Sequence, residues 1–219
     1  MRFACESNEA TARLALDVVR NLNRSPRSGA LFEFCDYAST TLMMTFCSAY
    51  ALEIEDNRRD RYYRSLKQAM TQDQKAAFAA LLAAQKAYVS AHAYEVDQRG
   101  TSRSIRTIGS QDILSDLFRT EVVHFERGKW PALSSSQVAT ADALERNEYE
   151  KTLQRLRSNT KEDVEQGAVA ADELPRVEQA WQAYRDAWMA FARLRYSAAA
   201  TTIRAQIVLD RSRLLATIR

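Results

Sequence analysis

Apolar side chains recur along this chain at the spacing of an amphipathic helix. Trp181, Tyr184, Trp188 and Phe191 stand at positions i, i+3, i+7 and i+10, which places them on one face of a helix. Phe78, Leu81, Leu82 and Val89 follow the same period earlier in the chain. Alternation of period two, typical of a strand, is not found over any useful length. The pattern predicts an all-α fold, a bundle of about six to seven helices.

Capping residues and helix breakers divide this pattern into elements. No glycine or proline occurs between Ala30 and Arg99, so long helices are expected there. Ser39 or Thr40 is suited to cap the first of them, and Thr71 with Gln74 forms a capping-box sequence before the next.

Two stretches interrupt the helices of the chain. Residues 98–109 combine two glycines with two serines and three arginines, which predicts a loop, with Ser110 capping a helix after it. Residues 128–136 contain Gly, Pro and three serines and read as a linker, with Ser136 capping the next helix.

The two sides of that linker resemble each other. Asp56 precedes Tyr63 by seven residues, as Asp142 precedes Tyr149, and residues 84–92 align with residues 177–185. We therefore expect two related helical halves, residues 1–127 with an N-terminal extension and residues 137–219, joined by the linker 128–136.

Composition and motifs narrow the classes of function. A net charge of +3 is too small to indicate nucleic-acid binding, and no apolar run is long enough to span a membrane. The first ten residues lack the apolar core of a signal peptide, so the protein is cytoplasmic or its signal has been removed. We find no catalytic triad or phosphate-binding loop, and therefore expect neither an enzyme nor a bound cofactor.

The three cysteines allow more than one interpretation. No CxxC motif occurs and neither histidine stands near a cysteine, so a metal site is not expected. On one straight helix Cys35 and Cys47 would lie about 18 Å apart, too far for a disulfide. If instead Cys35 precedes a helix that begins near Thr40, the two can bond. From the residues alone, inert thiols and a disulfide stay open, and Cys5 has no assigned role.

The segment CDYASTTLMMTFCSAYALEIEDNRRDRYYRSL, residues 35–66, resembles the lysozyme inhibitor LprI-like family. AQKAY, residues 84–88, and QAWQAYRDA, residues 179–187, resemble its signature helix, so each half is read as an LprI-like copy. The resemblance implies a Cys35–Cys47 disulfide, export to the periplasm, no catalysis, and a cell-wall-degrading enzyme or toxin as protein partner. It also suggests an immunity protein against a toxin of a secretion system such as type VI.

Inhibition of a muramidase requires blocking a cleft lined by carboxylates, for which arginine is well suited. Candidate partner-binding residues lie on the loop 98–109 and on the linker: Arg99, Arg103, Arg106, Arg127, Lys129 and Trp130. The competing interpretations are a solvated loop and a Trp130 packed between the two copies. Four aromatic residues are predicted to be core: Tyr88, Trp181, Tyr184 and Trp188. The alternatives to an inhibitor are an envelope scaffolding protein and a cytoplasmic helical adaptor.

Overall fold

The computed structural model describes Cys35 and residues 38–218. These residues form seven α-helices and no strand, so the prediction of an all-α fold is confirmed. The helices are α1 (Thr41–Gln68), α2 (Gln72–His92), α3 (Arg103–Glu126), α4 (Ser135–Leu156), α5 (Lys161–Glu165), α6 (Leu174–Arg195) and α7 (Ala200–Leu215). Short 3₁₀ turns follow α2 at Ala93–Glu95 and precede α7 at Ser197–Ala199.

The chain divides into two compact units, residues 1–51 and residues 52–219. In the first unit the described residues contain a disulfide between Cys35 and Cys47, whose Cα atoms lie 5.6 Å apart. The Thr40 hydroxyl accepts a hydrogen bond of 3.2 Å from the Met43 amide and caps α1. Because α1 begins at Thr41, after Cys35, the chain turns back as the pairing requires. Cys5 lies outside the described residues.

In the second unit, α2 and α6 pack against each other in opposite directions. The Phe78 and Phe191 rings lie 5.0 Å apart, and Tyr88 stacks on Tyr184 with ring centroids 5.4 Å apart. The four aromatic side chains expected in the core, Tyr88, Trp181, Tyr184 and Trp188, are all buried. Side chains of this size contribute several kcal/mol each when buried, so this seam is the centre of the fold.

The helix α3 adds a third layer to this seam. Phe118 and Phe125 meet Trp188 with ring centroids 5.5 and 5.6 Å apart. The Trp188 indole N–H donates to the Tyr184 hydroxyl at 2.7 Å, so the largest buried ring also has its polar atom satisfied. The described residues contain no helix long and apolar enough to cross a bilayer.

Helix starts were predicted with mixed success. The capping box at Thr71 and Gln74 is confirmed. The predicted starts at Ser110 and Ser136 are wrong, because α3 begins at Arg103 and α4 is capped by Ser134. A glycine inside a helix costs about 1 kcal/mol, and α3 nevertheless continues through Gly109. The side chains of Arg106 and Thr107 bond this first part of α3 to neighbouring residues, which offsets that cost.

Candidate functional site

A polar groove of about 320 Å³ lies between α1, α2 and α3. Side chains of all three helices line it, and most of them can form hydrogen bonds. They include Asp56, Arg59, Asp60 and Tyr63 from α1, Gln85, Lys86, Val89 and Ser90 from α2, and Gln111 and Ser115 from α3. We call this the first groove.

Arg59 forms the ionic centre of the first groove. Its guanidinium is only 3% exposed and contacts three carboxylates, those of Asp56 at 2.8 Å, Asp116 at 2.9 Å and Asp112. Burial lowers the pKa of Arg59, but the hydrogen bonds that its guanidinium donates to Asp112, Asp116 and Asp56 raise it by more, so the net shift is upward. The site therefore holds a permanent cation surrounded by partly exposed carboxylates.

This arrangement fits a recognition surface better than a reaction centre. The guanidinium occupies the space between the three carboxylates, and Arg59 cannot act as an acid or base near neutral pH. Within the described residues no group of three His, Cys, Asp or Glu side chains could hold a metal ion. The groove offers hydrogen-bond donors and acceptors at fixed positions, which is what selective protein recognition uses.

The three candidate arginines near residue 100 do not form a free loop. Arg103 and Arg106 lie in the first turns of α3, so the predicted loop over residues 98–109 is wrong beyond Ser102. Arg99 is paired with Asp97. Arg106 donates to the main-chain carbonyls of Asp97, at 2.9 Å, and of Arg99. The Arg103 side chain is exposed and has no hydrogen-bond or ion-pair partner among the described residues.

The turn before α3 is also fixed from the other side. The Gln98 amide donates a hydrogen bond of 2.6 Å to the carbonyl of Gly167. Gly167 has a φ of +106°, and a Cβ atom at this position would lie 2.7 Å from the Gln98 carbonyl carbon. Only glycine fits both the backbone conformation and the close approach. The segment is thus an ordered connection rather than a flexible loop.

Trp130 forms an aromatic surface site at the other end of α3. Its ring packs on Phe125 and Tyr196, with centroids 6.1 and 5.6 Å away, yet remains 45% exposed. Arg127 and Lys129 beside it are exposed, and no side-chain partner exists for either among the described residues. Phe125 and Tyr196 pack against part of the ring and the rest is exposed to solvent, so the Trp130 ring is suited to contact a partner protein.

The two sets of candidate residues are far apart. Arg103 and Glu126 are the first and last residues of α3. At 1.5 Å per residue a helix of this length separates its ends by about 35 Å. A partner interface of ordinary size cannot centre on Arg103 and on Trp130 at once.

Residues 35–119 are similar to a known protein family. Residues 35–119 match the family model of lysozyme inhibitor LprI. The recognition made from the sequence is confirmed over these residues. Neither the curated proteins nor the solved structures contain a match to the chain. The LprI segment includes the disulfide, the first groove and Arg103, and it ends before Trp130.

The region beyond the LprI segment has a groove of its own, of about 490 Å³, which we call the second groove. Four α4 residues that line it stand 86 positions after α1 residues of the first groove: Asp142, Glu145, Arg146 and Tyr149 after Asp56, Arg59, Asp60 and Tyr63. Four α6 residues stand 93 positions after α2 residues of the first groove: Pro175, Glu178, Gln179 and Gln182 after Leu82, Gln85, Lys86 and Val89. The lining residues of the two grooves are therefore related by constant offsets along the chain, 86 residues for α1 and α4 and 93 residues for α2 and α6.

Charges in the second groove are arranged differently. Asp142 forms a bidentate pair with Arg204 at 2.8 and 2.9 Å. Burial, with the nearby Glu178 carboxylate, raises the pKa of Glu145 to about 7. Glu145 stands 86 positions after Arg59, so an acidic side chain lines the second groove where the first has a guanidinium.

A buried ionic cluster, which the sequence analysis did not predict, joins three elements. They are α6, α7 and the 3₁₀ turn Ala93–Glu95. The fully buried Arg211 guanidinium bonds Glu95 at 2.7 and 2.9 Å and Glu178 at 3.2 and 3.3 Å. Glu95 also lies 2.7 Å from the His92 ring nitrogen. The sequence does contain one indication of this cluster: Arg211 lies between Ile207 and Leu214 at helical spacing, which places it on the apolar face of α7.

Proposed function

We propose that this protein is a non-catalytic binding protein that inhibits a lysozyme-like or other peptidoglycan-degrading enzyme. The observation that carries the proposal is the match of residues 35–119 to lysozyme inhibitor LprI. That family is one of inhibitors, which implies a protein partner. The buried cation of the first groove, neutralised by carboxylates, is consistent with a binding surface rather than with acid–base chemistry.

We further propose that the protein acts in the periplasm, as the immunity protein of a secreted antibacterial toxin. Disulfides persist in oxidising compartments and are rare in the cytosol, and the Cys35–Cys47 bond supports an exported protein on that ground. An inhibitor that protects the cell wall has to meet its target in the same compartment.

Of the two candidate surfaces, the Trp130 end of α3 is the better contact site. Arg99 and Arg106 are already engaged by Asp97 and by main-chain carbonyls, which leaves Arg103 as a single cation. Trp130 presents an aromatic face held by Phe125 and Tyr196, with two unpaired cations close by in the chain, and aromatic residues of this kind dominate binding energy in protein interfaces.

The domain organisation follows the same proposal. Residues 1–127 comprise the first LprI-like copy with an N-terminal extension, residues 128–136 are a linker, and residues 137–219 are a second copy. The equivalent positions of the two grooves support this division. Superposition of α4 and α6 on α1 and α2 should reproduce the offsets of 86 and 93 residues. A register shifted by one or more residues would contradict it.

The experiment that tests inhibition measures release of dye from labelled peptidoglycan. A muramidase, an amidase and an endopeptidase are each titrated with the protein, and stoichiometric inhibition of at least one is expected. Absence of inhibition for all three, with the protein folded by circular dichroism, would refute the proposal.

Two variants then locate the surface. Trp130→Ala is expected to weaken inhibition by about thirtyfold, the effect of losing a hot-spot aromatic. Tyr94→Ala is the matched control, since Tyr94 is an aromatic residue of similar exposure, 42%, at a different place on the surface. Equal effects of the two substitutions would exclude Trp130 as the anchor.

A further inference from the structure

An apolar pocket of about 360 Å³ lies between α2, α3, α6 and α7, and it shares Gln85 and Val89 with the first groove. Its wall is mainly aliphatic and aromatic, with Val89, Leu114, Leu117, Phe118, Ile207 and Leu214 among its lining residues. This volume falls within the range of small-molecule sites, about 300–1,000 Å³. Neither the family match nor the proposed inhibition assigns a role to it.

Four charged side chains also border the pocket, and three of them are already neutralised. Arg211 is held by Glu95 and Glu178. Asp210 accepts hydrogen bonds from Arg213, at 2.5 Å, and from Gln206. Each of these three charges already has an opposite charge beside it, so none of the three needs a ligand.

Glu121 is the fourth charged group, and it has no hydrogen-bond or ion-pair partner among the described residues. An ionised carboxylate beside an apolar wall is unfavourable unless a cation or a donor meets it. Burial, with Asp210 nearby, raises the pKa of Glu121 to about 8. The pocket thus combines an apolar wall with a single unmatched acidic group.

We propose that this pocket binds a small apolar molecule that carries one cationic group, with the cation on the Glu121 carboxylate. The cation supplies the charge that the pocket lacks, and the apolar body fills the wall of the cavity. Leu117, 55% exposed, and Ile113, 63% exposed one turn before it on α3, extend the apolar surface. An alkyl chain longer than the cavity would therefore gain further contact.

The test uses the full chain and three probes of equal chain length, n-octylamine, n-octanol and n-octanoate. Methyl resonances of Leu114 and Leu117 in NMR titrations report occupancy of the pocket. Octylamine is expected to bind about tenfold more tightly than octanol, and octanoate more weakly than either. Calorimetry in two buffers of different ionisation enthalpy should detect proton release from Glu121 when octylamine binds at about pH 7.

Two substitutions separate the charge effect from apolar binding. Glu121→Gln should remove the tenfold advantage of octylamine and the proton release, while octanol binding stays unchanged. Glu150→Gln is the control, because Glu150 is an exposed carboxylate on α4 that does not line the pocket.

Equal affinity for octylamine and octanol, in the parent protein and in Glu121→Gln alike, would overturn the proposal. So would failure of all three probes to shift the methyl resonances. If only an inhibited enzyme shifts them, the pocket belongs to the protein interface and the small-molecule assignment is wrong. These results do not depend on whether the protein inhibits a hydrolase.

Discussion

Replacement of Arg211 by methionine tests the buried ionic cluster. Methionine has a similar length, so the change removes the charge while much of the volume stays filled. It leaves Glu95, whose side chain is fully buried, without its guanidinium partner. Removal of one member of a buried ion pair costs about 3–5 kcal/mol, because an uncompensated charge stays behind. For a chain of this size that corresponds to a fall in Tm of about 10 °C.

The effect should depend on pH, and its sign follows from Glu95. In the parent protein burial raises the pKa of Glu95, but Arg211 and His92 lower it more, so the net pKa lies below the ordinary 4.5. This contribution to stability is present above pH 4.5 and is lost as the pH falls through the lowered pKa. In Arg211→Met only His92 opposes the burial, so Glu95 protonates more readily. The stability difference between the two proteins should therefore narrow as the pH falls towards about 4.

Urea unfolding followed by circular dichroism at neutral and acidic pH measures both effects. Arg213→Met is the control, since Arg213 lies on the same helix but is 66% exposed in its pair with Asp210, and should change stability by less than about 1 kcal/mol. Adding Glu95→Gln to Arg211→Met should restore part of the loss. A small loss at neutral pH, or a large loss that does not change with pH, would refute this account of the cluster.

Three further predictions concern single groups. Glu121→Gln should leave the free energy of unfolding unchanged below about pH 4.5 and raise it by about 2 kcal/mol above about pH 8. The pKa of Glu121 is raised in the fold, so ionisation of this carboxyl at high pH destabilises the parent protein but not the variant. The same difference in urea midpoint between variant and parent at both pH values would contradict this prediction. Gly167→Ala should lower the free energy of unfolding by about 2 kcal/mol or more, because the backbone is strained for alanine and its Cβ would clash with Gln98. Gly100 also has a positive φ, of +80°, but open space around its Cβ position, so Gly100→Ala should lower it by about 1 kcal/mol in the same assay. Non-reducing peptide mapping of the oxidised protein should give a Cys35–Cys47 cross-link, and alkylation of both thiols without reductant would disagree with the structure.

The all-α fold and the buried aromatic residues could be predicted from the sequence because both depend on the local spacing of apolar residues. The stripe containing Trp181, Tyr184 and Trp188 is buried as its spacing predicted, and the capping box at Thr71 forms as written. The predicted start of α3 was wrong because a high content of glycine and serine indicates a loop only on average. Here the hydrogen bonds that Arg106 donates to the Asp97 carbonyl stabilise the helix despite this composition.

The ionic contacts of the grooves could not be read in the same way. Arg59 meets Asp112 and Asp116, which are more than fifty residues away in the sequence, so the pairing depends on how α1 lies against α3. Within residues 56–64 the spacing of charges indicates only local ion pairs on one helix, such as Arg59 with Asp56. Leu117 and Phe118 stand four and three residues before Glu121, but the other walls of its pocket come from α2, α6 and α7, which are distant in the sequence.

The contrast between the two grooves limits what the second can recognise. In the first groove three carboxylates surround the Arg59 guanidinium, whereas the second groove has Glu145 at the position 86 residues after Arg59. A partner surface that matches the charge arrangement of one groove would therefore not match that of the other. The LprI match stops at residue 119 and leaves the second groove outside it. If both grooves bind, they should therefore bind different surfaces, and a charge reversal at Glu145 should alter the second without affecting the first.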